Sequence, residues 1–200
     1  MAFTYHHLDD AEVRAAMVEL WAAENEELLA SGRRPECYGA DLLEAGWEEW
    51  ERAMPVALGD RDDDWLVEQM LEPGFWRATR PRRLKSGGFS EQRVNLQFTA
   101  NLICRGEFNI AYVRGLASTL LARGETEFVV YRADPAYEPR PECLAMEGHS
   151  FPLEDVLEGH RARYWPPESA DLDAFSVPAG FGCHHSICST AMAERAAIAG

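Results

Sequence analysis

VNLQFTANLICRGEFNIAYVRGLASTLLARGETEFVVYR, residues 94–132, carries the clearest secondary-structure signals in this chain. Its first part alternates apolar and polar residues from Val94 to Cys104, which is typical of a strand with one buried and one polar face. We therefore predict a long strand there, broken by Gly106. A helix is predicted over about 108–123, ended by Gly124, and a second strand over 128–131.

This order of elements sets the predicted fold class. A strand, a helix and a strand of these lengths are compatible with one right-handed βαβ unit, and also with an antiparallel layout. The predicted class is α+β, with α/β as the alternative. In it, acidic N-terminal helices pack on a small mixed sheet that contains the strand–helix–strand unit.

Three helices are predicted before residue 77. The first follows Asp9 and Asp10, runs to about residue 31 and ends at Gly32. The second covers about 41–53 and ends at Pro55, because proline breaks helix hydrogen bonding. Acidic residues of a loop over 59–64 then cap a third helix from about 65 to 72.

Glu24 is unusual in the first helix because it falls within the apolar stripe. A carboxylate at such a position is costly unless it is paired or partly exposed. We predict either a partly covered stripe edge or an ion pair with a cation of the body, Arg114. The stripe consists of Val13, Met17, Leu20, Trp21 and Leu28.

Charge divides the chain near residue 77. Residues 1–76 hold 19 Asp and Glu against 5 Arg, a net of −14, and residues 77–200 hold 15 acids against 14 bases, a net of −1. We predict an acidic helical region over 1–76, a basic and glycine-containing linker over 77–92, and an α/β body over 93–200. A single domain is the alternative.

The linker contains a basic run, which we expect either to neutralise the acidic helices of the same chain or to be solvated. Binding of nucleic acid is disfavoured by the net charge of −15 and by the lack of interleaved aromatic residues. The run consists of Arg77, Arg80, Arg82, Arg83 and Lys85.

The acidic region also holds most of the tryptophans. Their place in apolar stripes predicts that they are mostly core residues, with acidic side chains left outside. The predicted function is a non-enzymatic interaction or assembly protein, such as an inhibitor or a component of a phage-like particle. It would use an acidic, tryptophan-rich helical surface to bind a basic or apolar protein surface, or a second copy. The tryptophans are Trp21, Trp47, Trp50, Trp65 and Trp76, and the candidate partner-binding residues are Glu12, Glu19, Glu26, Asp60, Asp62, Asp63 and Asp64.

The densest group of metal-ligating residue types lies near the C-terminus, in Cys183-His184-His185-Ser186-Ile187-Cys188. Zinc needs thiolates and imidazoles that converge, and this spacing differs from that of a zinc finger or ribbon. Only an irregular loop would bring more than two of these side chains together. Cys183, His184, His185 and Cys188 are thus candidate zinc ligands, with packed cysteines and hydrogen-bonded histidines as the alternative. No other cofactor is expected.

An enzyme is the alternative class of function, either metal-dependent or using a nucleophile. GxGxxG, P-loop, HExxH and GxSxG motifs are absent, so no reaction is predicted. A DNA mimic is a lesser alternative, because fourteen net charges would imitate about 24 Å of duplex. The candidate catalytic residues are His149, Cys183, His184, His185 and Arg132.

Cysteine usage and hydropathy indicate a location. Five scattered cysteines fit a reducing compartment rather than a disulfide framework. The apolar runs are shorter than the ~20 residues that a membrane helix needs, and the N-terminus lacks the features of a signal peptide. We therefore expect no membrane partner, and a place in the cytoplasm or in a particle assembled there.

Overall fold

The chain forms a mixed α+β fold in a computed structural model, which describes residues 5–32, 43–132, 138, 144, 146–158 and 185–190. This confirms the predicted α+β class. The helices are α1 (Ala11–Ala30), α2 (Trp47–Asp60), α3 (Asp63–Gln69), α4 (Leu96–Ala122) and α5 (Leu153–Glu158). The strands are β1 (Thr79–Arg83), β2 (Phe89–Arg93), β3 (Glu127–Arg132), β4 (Ser150–Pro152) and β5 (His185–Ser189).

The strands form two small sheets in which each described pair of strands is antiparallel, and an isolated parallel bridge joins Val130 to Glu147. β1 and β2 form a hairpin, and the other sheet has the order β4-β3-β5. β3 is the strand predicted over 128–131. Both of its neighbours, β4 and β5, run antiparallel to it. The predicted βαβ unit and mixed sheet are therefore wrong, and the antiparallel alternative is confirmed.

The largest correction concerns residues 94–104, which begin α4 instead of forming a strand. Asn95 caps this helix, because its side-chain Oδ1 accepts a hydrogen bond from the Phe98 backbone N–H at 3.0 Å. Ala100, Ile103 and Cys104 are buried with a helical spacing, whereas Phe98 is 59% exposed. Among the described helices, α4 included, none is both long and apolar enough to cross a membrane.

The first predicted helix is confirmed as α1. Asp10 caps it, since Asp10 Oδ1 accepts a hydrogen bond from the Glu12 backbone N–H at 3.0 Å. Gly32 follows the helix with a positive φ of 70°, as predicted for a residue that ends it.

The second predicted helix is displaced, because α2 continues through Pro55 to Asp60. Ala57 and Leu58, which lie beyond the proline, are fully buried. We attribute the continuation to this burial, which offsets the lost hydrogen bond of the proline. α3 begins as predicted at the acidic loop, where Asp62 Oδ1 accepts from the Trp65 N–H at 2.8 Å.

Contacts divide the chain into two compact units, and the boundaries fall inside α1 and α4. The sheet unit comprises residues 1–24 and 109–200, and the hairpin unit comprises residues 25–108. The division predicted at residues 76 and 92 stays a prediction. In the sheet unit, α1 and α4 approach closely at Gly115, where an added Cβ would stand 2.5 Å from Met17 Cγ.

The predicted linker over 77–92 contains the β1–β2 hairpin. Each residue of β1 is exposed, and β2 alternates exposed and half-buried residues. The segment assigned to the linker is thus mostly exposed and contains two regular strands. Thr79 pairs with Arg93 and Arg83 with Phe89, and Gly87 allows the turn with a φ of 90°.

Candidate functional site

The sheet unit brings two candidate catalytic residues together. Arg132 on β3 and His185 on β5 are register partners. Both lie close to Glu147, which sequence reasoning missed: Oε2 of Glu147 is 2.8 Å from Arg132 Nη2 and 3.6 Å from His185 Nε2. Glu147 reaches this position because it forms a bridge to Val130. We call Arg132, Glu147 and His185 the charged cluster.

Burial differs sharply within the charged cluster. The side chain of His185 has no exposed surface, whereas those of Arg132 and Glu147 are 27% and 28% exposed. The hydrogen bond from Arg132 holds the pKa of Glu147 below its usual range. Asn109 Nδ2 donates to the His185 carbonyl oxygen at 2.9 Å, which fixes this end of β5. The cluster can anchor this edge of the sheet, because it ties β3 and β5 together beside the bridge from Glu147 to Val130.

The remaining candidates for catalysis or metal binding are not gathered at this cluster. Cys183 and His184 lie outside the described residues. His149 is exposed, and its carbonyl oxygen accepts from the Val130 N–H at 3.3 Å. Cys188 is buried on β5, three residues from His185, so the two side chains project to opposite faces of the strand.

The described ranges contain no group of three His, Cys, Asp or Glu side chains placed to hold a metal ion. Burial raises the pKa of the Cys188 thiol, and its Sγ lies 3.8 Å from the Val129 carbonyl oxygen. This placement is that of a packed side chain. The predicted zinc site, which also needs Cys183 and His184, stays a prediction.

Among the candidate partner-binding residues, Asp63 has an internal role in the hairpin unit. It is 3% exposed, and Arg105 of α4 binds both Asp63 and Asp64. Burial raises the pKa of Asp63, and the Arg105 charge opposes that shift. A buried carboxylate held in this way cannot meet a partner directly, so its neighbours on the surface are the better candidates.

Exposed carboxylates lie on α3 and in the residues just before and after this helix. Asp60 lies 3.9 Å from its neighbour Arg61, and Asp62 caps α3. Glu68 and Glu72, which the prediction did not include, are exposed and form no ion pair with the described residues. We define the acidic surface as Asp60, Asp62, Asp64, Glu68 and Glu72.

The acidic residues predicted on α1 differ from one another. Glu12 binds Arg123, the residue that follows α4, together with Asp10. Glu19 and Glu26 are exposed, as predicted for the polar side of the helix. Glu12 therefore contributes to the fold of the sheet unit, and Glu19 and Glu26 stay candidates for partner binding.

The tryptophans lie mostly in the core. Four of the five in the acidic region are at most 7% exposed, and Trp65 on α3 is half-buried. The prediction that they are mostly core residues is confirmed, so the exposed surface is acidic rather than rich in tryptophan. The four buried residues are Trp21, Trp47, Trp50 and Trp76.

Glu24 lies in the sheet unit beside the residue named as its partner. Its Oε1 is 3.9 Å from Arg114 Nη1, and the two side chains are 21% and 16% exposed. Both alternatives predicted for Glu24 are thus met, because the carboxylate is partly covered and also paired. Leu20 and Trp21 of α1 line the same small pocket as this pair.

The basic run lies largely on the hairpin. Arg77 binds Glu44 at 2.9 Å, which is one case of the predicted neutralisation within the chain. The other cations are exposed, and none lies within ion-pair distance of a carboxylate in the described part of the chain. Those cations are Arg80, Arg82, Arg83 and Lys85, joined by Arg93 on β2.

Comparison of the chain with protein-family models, with curated proteins and with solved structures finds no match in any of the three. Neither a family motif nor a related fold therefore indicates a reaction or a partner. The support for a function comes from the residues and their geometry.

Proposed function

We propose that this chain is a protein-interaction or assembly protein that binds another protein mainly through charge. The observation that carries the proposal is the separation of exposed charge in the hairpin unit, with carboxylates on the acidic surface and cations on the hairpin. Exposed charges are available to a complementary surface, above all those such as Glu68 and Glu72 that form no ion pair with a described residue.

The core beneath the acidic surface supports this proposal. Leu66 and Val67 of α3 are buried, and Trp76 donates a hydrogen bond from Nε1 to the Met70 carbonyl oxygen at 2.6 Å. The acidic surface is thus carried by packed elements. A preorganised surface loses little conformational entropy on binding, which favours recognition of another protein. The free, buried thiols of Cys104 and Cys188 fit the proposed location in the cytoplasm.

The test removes charge without touching the groups that hold the fold. An acid-neutral variant combines Asp60→Asn, Glu68→Gln and Glu72→Gln, and leaves the Asp62 cap and the Arg105 ion pairs intact. A matched control combines Asp9→Asn, Glu48→Gln and Glu154→Gln. It removes three exposed carboxylates elsewhere, each without an ion pair to a described residue.

Tagged chains are isolated from cells that naturally make the protein, and each retained protein is purified and titrated by calorimetry. We expect about tenfold weaker binding by the acid-neutral variant, binding by the control equal to wild type, and weakening with salt. A partner that binds all three chains equally, or the absence of any partner and of self-association, would contradict the proposal.

A second candidate is a small enzyme built on the charged cluster. One observation favours it: Arg132 and His185, both candidate catalytic residues from the sequence, lie together in the fold with Glu147. Metal analysis of the purified protein and a thermal scan with chelator test its zinc version. Stoichiometric zinc that is lost in a His185→Asn variant would support it, and metal-free protein of unchanged stability would exclude it.

A further inference from the structure

The β1–β2 hairpin is the most exposed regular element of the hairpin unit. A two-stranded hairpin in water is marginally stable unless further surface packs on it. All five residues of β1 are exposed, and at the ends of its loop Leu84 is 42% and Phe89 is 71% exposed. Such exposure of a strand pair with apolar side chains is a mark of a surface that another molecule covers.

The charge of the hairpin indicates which kind of partner would bind it. Residues 79–93 hold five cations against the single carboxylate of Glu91, a net charge of +4. Thr79 Oγ1 donates to Glu91 at 3.1 Å, and the described residues offer the five cations no carboxylate within ion-pair distance. Five cations within fifteen residues repel one another, so a negatively charged partner would stabilise the hairpin.

The same chain offers a surface of the required charge. Residues 60–72 hold six acids against Arg61, a net of −5, and Arg105 reduces this to −4 by binding Asp63 and Asp64. The net charge of +4 on the hairpin and of −4 on residues 60–72 together with Arg105 are therefore equal and opposite. A second copy of the chain supplies the matching surface wherever the protein itself is present.

We propose that the hairpin of one copy docks on the acidic surface of a second copy, so that the protein assembles with itself. This inference rests on the proposed function and names its partner. In the docked pair, the arginines of β1 meet the exposed carboxylates, and Phe89 packs against apolar surface beside them. Arginine and aromatic residues are enriched in protein interfaces, which fits this composition.

A polyanion such as DNA is the competing occupant, and the net charge of the chain argues against it. The whole chain carries −15, so a polyphosphate approaching the hairpin is repelled by the rest of the molecule. A second copy carries the same net charge, but it presents a packed acidic surface whose local charge is opposite to that of the hairpin. Self-association of this kind weakens as salt rises, because the contact is largely ionic.

Two complementary variants test the contact. A hairpin-neutral variant combines Arg80→Gln, Arg82→Gln, Arg83→Gln and Lys85→Gln, and the second is the acid-neutral variant defined above. All seven substitutions are at exposed side chains, and thermal unfolding confirms that both variants keep their fold. Mass is measured by sedimentation and native mass spectrometry at low and high salt.

We expect wild type to associate at low salt and each variant alone to associate at least about tenfold more weakly. An equimolar mixture of the two should form a heterodimer, because one chain contributes an intact hairpin and the other an intact acidic surface. This dimer should not grow, since its second contact is removed. The three-carboxylate control should associate as wild type does.

Other results overturn the inference. A wild-type chain that stays monomeric at low salt refutes self-docking. Binding of a different protein through the acidic surface would then leave the proposed function standing. An acid-neutral variant that associates as strongly as wild type, or a mixture that stays monomeric, refutes the hairpin-to-acid contact. A monomer that shifts a short DNA duplex in a gel, with loss in the hairpin-neutral variant, assigns the hairpin to nucleic acid instead.

Discussion

Gly115 of α4 lies so close to Met17 of α1 that a Cβ at position 115 would stand 2.5 Å from Met17 Cγ and 2.9 Å from the Met17 backbone nitrogen. The same Cβ would stand 3.0 Å from the Val13 carbonyl oxygen. Since two of these atoms belong to the backbone of α1, the helix itself would have to move. The pair thus sets the distance between α1 and α4 in the sheet unit.

Gly115→Ala is therefore expected to destabilise the protein, although alanine usually favours a helix. We expect a loss of about 2 kcal/mol in the free energy of unfolding, from overpacking. Gly106→Ala in the same helix is the control, because no atom lies within 4 Å of its added Cβ. That control should gain roughly 0.5–1 kcal/mol. Urea unfolding measures both, and a stabilised Gly115→Ala variant would contradict the close approach.

The ion pair between Arg105 and Asp63 gives a second prediction. Arg105→Met leaves a buried carboxylate without its cation and should cost roughly 3 kcal/mol of stability at neutral pH. Without Arg105, the pKa of Asp63 in the folded state rises further above its unfolded value. The variant is then relatively more stable at acidic pH, where Asp63 is protonated, and loses that stability as pH rises.

Two controls accompany the Arg105→Met variant. Adding Asp63→Asn should recover part of the lost stability, because the uncompensated charge is then gone. Arg52→Met removes a cation that is 62% exposed and should change stability by less than about 1 kcal/mol. The free energy of unfolding is compared by chemical denaturation at pH 5 and pH 8. These lie roughly one unit above, and well above, the pKa of a free carboxyl group. An unchanged Arg105→Met variant would mean that Asp63 is solvated.

Glu147 gives a prediction about the stability of the protein at acidic pH. Its folded pKa is lowered by Arg132, so it contributes stability above the ordinary value of 4.5, and this contribution is lost as pH falls through the folded pKa. Glu147→Gln should therefore flatten the decline of the melting temperature in this acid range. Glu154→Gln, an exposed control on α5, should decline as wild type does. Parallel curves for wild type and Glu147→Gln would contradict the ion pair.

The buried thiols predict slow chemical modification. Burial raises the pKa of Cys104 and of Cys188, and the thiolate is the reactive form. Iodoacetamide at pH 8 should leave both residues unmodified in the native protein and should modify both in denaturant. Peptide mass mapping after a time course gives the extent of modification at each cysteine. Rapid labelling of Cys104 in the native state would show that this part of α4 opens.

The helices of the N-terminal region could be predicted largely from sequence, because their apolar residues repeat at the helical period. That period placed most tryptophans in the core, and it made Glu24 stand out as a residue needing Arg114. Helix capping could also be predicted, since Asp62 of the acidic loop caps α3. These signals are local, so they do not depend on the rest of the fold.

Residues 94–104 show where local signals were insufficient. Alternation from Val94 to Cys104 fits a strand, but Ile103 sits between Leu102 and Cys104 and breaks it, and the buried set fits a helix. The same holds for Pro55, whose local cost is outweighed by the burial of Leu58. Tertiary packing decided both cases, and a single sequence does not reveal that packing.

The charged cluster was predictable only in part. Arg132 and His185 were chosen by residue type, but their meeting depends on the register between β3 and β5, which are distant in sequence. Glu147 carried no signal, because its position follows from a bridge to Val130 after a turn. Non-local pairing of this kind is set by the whole sheet rather than by a motif.

The contrast between Trp65 and the other described tryptophans gives the molecule an optical reporter. Four indoles lie in the core, so their emission and their protection from acrylamide will follow unfolding, whereas Trp65 on α3 is half-buried beside the exposed Asp64. The sixth tryptophan, Trp165, lies outside the described residues and is replaced by phenylalanine for this measurement. Loss of quenching at Trp65 would then register occupation of the acidic surface without any attached label. Fluorescence of one native side chain can thus follow binding and stability as separate signals.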